Sequence, residues 1–142
     1  GVSLKPYKVF KPSEFCFVPI TSRNGNKITL SMNYEEQAHI VSSSYVVFDI
    51  KEKNKLIPSF LYLMLSRPEF DRYARFNSWG SAREAFSFDD MKRVCIPLPP
   101  LSVQQAIVNI YNCANEAKRI AAEADRMSRE VCPALIQHVI HY

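Results

Sequence analysis

The spacing of apolar and polar positions changes twice along this chain. Residues 14–21 (EFCFVPIT) and 27–31 (KITLS) form short apolar or alternating runs that predict two strands. Between them SRNGN carries Asn-Gly, a strong signal for a tight hairpin turn. Residues 41–50 (VSSSYVVFDI) begin polar and become β-branched and aromatic, which predicts a third strand. Pro58 then opens a helical stretch, LYLMLSRPEFDRYARF, which Pro68 should divide into two short helices. NSWGSAREAFSFDD reads as a loop running into a short strand at 85–88. VCIPLP (94–99) alternates like an edge strand and stops at the prolines.

Past PLPPLSVQQAIV (97–108) the period becomes helical and long. Ser102 with Gln105 three residues on has the form of a capping box. Apolar residues then fall at Val103, Ile107, Ile110, Ala114, Ala117, Ala121, Ala124 and Val131, with Ser128 at the skipped position. Gaps of four and three alternate along this seam, the 3.5-residue heptad period of a coiled coil. Its alanine centre suits a close antiparallel pair of helices. The alternative is an amphipathic helix docked on its own domain, but thirty residues at 1.5 Å rise make roughly 45 Å, long for that purpose. Pro133 is expected to end or kink the helix, leaving ALIQHVIHY as a short helical extension. The fold class is therefore α+β. Residues 1–100 form a mostly β domain with short helices, and residues 101–142 a long helix with that extension.

Composition narrows the chemistry. The 142 residues are 47% hydrophobic and 23% charged, with three glycines and nine prolines, which suits one globular domain with an appended element. No apolar run reaches the roughly 18 residues of a membrane span, and no basic-then-apolar signal pattern opens the chain. Cys16, Cys95, Cys113 and Cys132 lie far apart with no CxxC pair, so no metal site is expected. Reduced cysteines favour a cytoplasmic location. Net charge is +4, and residues 1–101 hold the whole excess, 14 basic against 10 acidic, whereas residues 102–142 balance at four each.

A search for nucleophile, base and phosphate-cradling patterns finds none, and no cofactor is expected. Asp89-Asp90 reads as a helix cap rather than a catalytic pair. The side chains suited to nucleic acid sit in the expected loops: Arg23, Asn24 and Lys27 at the hairpin, Ser43 and Tyr45 at a strand entrance, and Trp79, Ser81 and Arg83 in SWGSAR. Arginine and asparagine pair with base edges, while serine and tyrosine hold phosphates. Solvated loops, or a coiled-coil adaptor whose front domain binds protein, remain alternatives on composition.

PLPPLSVQQAIV resembles the boundary motif of type I restriction-modification specificity subunits, close to P-L-P-P-L-x-E-Q-x-x-I-V. Pro97, Leu98, Pro99, Pro100, Leu101, Gln104, Ile107 and Val108 match it, and Val103 replaces the usual glutamate. VSSSYVVFDI, IPSFLYLMLSRPEF and WGSAREAFSFDDMKRVCIPLP resemble family segments in the same order, and Arg83 matches the arginine of the GS-x-R loop. The resemblance implies a target recognition domain that reads double-stranded DNA and a spacer helix that pairs antiparallel. It implies separate methyltransferase and restriction subunits as partners, with no membrane. One recognition domain and one helix are present where a full subunit has two of each. This implies a half-subunit or fragment that pairs with a second copy or another specificity half, holding half-sites about a dozen base pairs apart at 3.4 Å per step.

Overall fold

The computed structural model describes residues 7–21 and 27–140. The chain divides into two compact units, one ending at Gln105 and one beginning at Ala106.

In the first unit, β2 (Phe15–Val18) is the central strand of a three-stranded antiparallel sheet, flanked by β3 (Thr29–Met32) and β5 (Val46–Phe48). Its first three residues are all buried, which explains an unbroken apolar run where alternation would mark a half-exposed strand. Phe15 stacks on Phe48, its cross-strand partner, at 5.1 Å. Burial pushes the Cys16 thiol up from its ordinary pKa. The expected hairpin between β2 and β3 is present as antiparallel pairing from Phe15↔Met32 to Val18↔Thr29. Its Asn-Gly tip lies outside the described residues.

The run at 41–50 is two strands rather than one. β4 (His39–Ser42) pairs antiparallel with β1 (Tyr7–Phe10), an element the sequence pattern did not disclose, whereas β5 joins the other sheet. The serines cause the division. The Ser42 carbonyl accepts the Tyr45 N–H at 3.0 Å and its hydroxyl accepts the Ser44 N–H at 3.4 Å, which closes a turn instead of continuing a ladder.

The two expected short helices are α1 (Pro58–Leu65) and α2 (Pro68–Phe76), each with proline at its start. Ile57 and Arg67 before them are extended (ψ 129 and 148), as the proline ring requires of the preceding residue. α3 (Phe88–Met91) begins with a reciprocal box between Ser87 and Asp90, so the acidic pair caps a helix as expected. The Lys92 ammonium holds the Asp89 carboxyl below its usual range. Two expected strands are absent. Residues 85–88 provide only bridges at Ala85, and residues 94–99 join no ladder, since each proline removes a backbone donor. The core groups Phe17, Leu65, Phe70, Ala74, Phe86 and Met91.

α4 (Leu101–Ile140) runs through Pro133 rather than ending there, so the separate C-terminal extension is corrected to one 40-residue helix of roughly 60 Å. Exposed ion pairs along it, Arg119 with Glu116 and Glu123 and Arg126 with Glu130, support the turns that lead up to the proline's missing N–H. Its start also differs from expectation. The Pro100 carbonyl accepts the N–H groups of Val103 and Gln104, so Ser102 lies inside the first turn and is not its cap. Among the described residues no helix is long and apolar enough to cross a membrane. No cluster of His, Cys, Asp or Glu among them could hold a metal ion.

Candidate nucleic-acid interface

Strand register decides which loops meet. β2 ends at Val18 opposite Thr29 of β3, and Phe17 lies opposite Val46, the first residue of β5. The 19–28 connection and the 43–45 turn therefore leave the sheet at the same end. The loop at 79–85 is tied there too. The Phe86 N–H donates to the Pro19 carbonyl at 2.8 Å, and Thr21 donates its N–H (3.0 Å) and its hydroxyl (3.2 Å) to the Glu84 carbonyl. Three chain segments that are remote in sequence thus share one edge.

The 79–85 loop is closed at its base by reciprocal hydrogen bonds, Trp79 N–H to Ala85 carbonyl at 3.1 Å and the reverse at 3.0 Å. Gly80 sits at φ +143, where a side chain would be strained, and a Cβ there would collide with the Arg83 carbonyl oxygen. The glycine thus lets the loop fold back tightly enough to present Ser81 and Arg83 outward. Both are exposed, and the Trp79 ring is 68% exposed although its backbone is fixed. Lys27 and Arg83 make no ion pair or side-chain hydrogen bond among the described residues, which leaves two cations available to an anion.

Of the residues expected to bind DNA, Lys27, Trp79, Ser81 and Arg83 gather on loops joined at this edge, and Ser43 and Tyr45 lie on the turn at the same sheet end. The Tyr45 carbonyl accepts the Lys8 ammonium at 2.6 Å, which ties that turn to β1. Arg23 and Asn24 lie outside the described residues. The sequence reading overlooked α2. Arg72, Arg75 and Phe76 line an open cleft of about 600 Å³ with Lys27, Pro68 and Asp71. Arg75 also pairs with Glu84 at 3.0 Å, in the foot of the loop. A signal was available, since Phe76 falls off the stripe made by Phe70 and Ala74 and stands four residues from Arg72.

Comparison with protein families finds a match to the type I restriction modification DNA specificity domain over residues 19–112, two thirds of the chain. The chain belongs to that family. Comparison with curated proteins finds no match. The matched span contains every described loop of the specificity domain's candidate interface, and it extends through the PLPP boundary into the first turns of α4. A specificity domain supplies DNA sequence recognition in type I restriction modification and is itself non-catalytic.

Proposed function

We propose that this chain reads one half of a bipartite double-stranded DNA site as a specificity half-subunit or fragment. In this reading residues 1–100 are the target recognition domain. Residues 101–142 pair with a second copy, or with another specificity half, in an antiparallel coiled coil. Methyltransferase and restriction subunits, in the cytoplasm, then act at the chosen site. One observation carries the reading: basic and aromatic residues of three remote segments lie at one end of the three-stranded sheet, within a span that matches the specificity family. Arg83, with no ion pair or side-chain hydrogen bond among the described residues and on a loop shaped by Gly80, is the best candidate for a base-edge contact.

Substituting Arg83→Ala is expected to weaken binding to a cognate duplex by about 5- to 100-fold, the value of one good base contact. Fluorescence anisotropy over a salt series is the measurement. Wild-type affinity should fall linearly on a log–log plot as salt rises. Binding indifferent to salt would favour the protein-binding adaptor instead.

The pairing helix has its own test. Val103, Ile107, Ile110, Ala114, Ala117, Ala121, Ala124 and Val131 all fall on α4 and are exposed, Ile110 at 70%. Replacing Ala117 and Ala121 by lysine should convert a dimer to a monomer in analytical ultracentrifugation, because two charges cannot be buried in a small-residue seam. A wild-type chain that sediments as a monomer at high concentration would refute self-pairing.

A further inference from the structure

The outward face of α2 holds an aromatic ring for which folding gives no reason. Phe70 and Ala74 form its buried stripe, and Arg72, Arg75 and Phe76 fall outside it. Phe76 is 81% exposed, the most exposed aromatic ring among the described residues. Burial of such a ring is favourable, so leaving it in water beside two guanidinium groups is a cost that packing does not offset. Lys27 is held to the same cleft, because the Ile28 N–H donates to Asp71 Oδ1 at 3.0 Å. That bond also engages Asp71, the carboxylate among the residues that line the cleft. Arg72 and Arg75 are paired with Glu69 (3.4 Å) and Glu84 (3.0 Å). Both pairs are well exposed and weakened by the surrounding water, so a stronger anion can replace either carboxylate.

We propose that this face of α2 is a DNA-backbone contact: Lys27, Arg72 and Arg75 take phosphates of the duplex, and Phe76 packs on the sugars beside them. The proposal rests on the DNA-reading function above and adds to it the element that holds the duplex while the loops read it. Duplex DNA is favoured over an acidic protein by continuity. The cleft shares Lys27 with the 19–28 connection, and Arg75 joins it to the foot of the 79–85 loop. Glu84 has the opposite role, since its carboxylate competes with phosphate for Arg75.

The test is anisotropy of the full chain with a labelled random-sequence duplex across a salt series, with thermal melting to confirm each fold. The double variant Arg72→Ala/Arg75→Ala should bind about tenfold more weakly or worse, and its log–log salt slope should be shallower by about two. Phe76→Ala should weaken binding with the slope unchanged. Glu84→Gln should tighten it about two- to fivefold, a gain that a purely structural role would not produce. If the double variant matches wild type while Arg83→Ala still weakens binding to a cognate duplex, the α2 contact is wrong and the DNA-reading function stands. Absence of salt-dependent DNA binding by the wild-type chain would sink both. Poly-glutamate that binds wild type more tightly than the duplex does, and loses that binding in the double variant, would assign the face to an acidic protein.

Discussion

Replacing Phe86 by alanine is expected to lower the stability of the first unit by about 3–5 kcal/mol, within the range for emptying a buried phenylalanine site. Phe86 is fully buried and stands at the centre of an aromatic cluster, 6.4 Å from Phe17, 6.0 Å from Phe70 and 6.2 Å from Tyr73, all edge to face. The cavity would open between sheet and α2, where neither side can collapse without breaking β2 pairing or helix packing. For a domain of about 100 residues this loss corresponds to a melting temperature lower by roughly 15–30 °C. The consequence reaches function, because the Phe86 N–H bonds to Pro19 and its neighbour Ala85 closes the 79–85 loop. DNA affinity should fall in parallel with stability, whereas Phe86→Leu should keep most of both. Calorimetry and anisotropy on the two variants measure this. A loss under about 1 kcal/mol for the alanine variant would show that the loop and the core are not coupled through this ring.

The elements that could be read from the sequence are those whose signal is local. Pro58 and Pro68 dictate helix starts and force Ile57 and Arg67 into extended backbone, and both helices are where the prolines place them. The β2–β3 pairing followed from two apolar runs around a turn signal, and the helix cap from Asp89-Asp90 was readable for the same reason. What escaped depends on partners far along the chain. β1 is four residues, three of them exposed, and is defined as a strand by β4, whose paired residues lie 29 to 35 positions away. Residues 94–99 have a strand's alternation but no neighbour to pair with.

The candidate interface divides along the same line. Trp79, Ser81 and Arg83 stand out in the sequence as loop side chains suited to nucleic acid, Arg83 also through the resemblance of its loop to GS-x-R, and all three are exposed on one loop. Arg72 and Arg75 look like an ordinary solvated helix face until the hydrogen bond from Ile28 to Asp71 and the ion pair to Glu84 bring that face beside the loops. No local pattern encodes those two contacts. The heptad seam is legible as a period, but a period names no partner.

Gln104 is the second residue whose loss should be severe, and it corrects the capping expectation most sharply. The boundary segment has two adjacent glutamines, and the capping rule points to Gln105. The residue that holds the joint is Gln104, which is fully buried within the first unit. Its Oε1 accepts the Ile57 N–H at 2.9 Å, and its Nε2 donates to the carbonyls of Lys55 and Pro99, each at 2.8 Å. One amide thus joins the segment entering α1, the proline stretch and the first turn of α4. Gln104→Leu preserves volume but leaves one N–H and two carbonyls without their partner. With partial access to water, the cost should be about 2–5 kcal/mol. Gln104→Glu gives a sharper test, because the second carboxylate oxygen would face two carbonyls. Those carbonyls and burial disfavour the ionised form, so the introduced acid has a folded-state pKa above its unfolded value of about 4.3. The folded state then binds more protons than the unfolded one, and stability relative to the native glutamine falls as pH rises above about 4. Urea denaturation of wild type and both variants at pH 4 and pH 7 reads the result. Gln104→Leu should show a deficit that does not change with pH, and Gln104→Glu one that grows toward neutrality. If Gln104→Glu is as stable as wild type at pH 7, the amide is not directing its Nε2 at those two carbonyls.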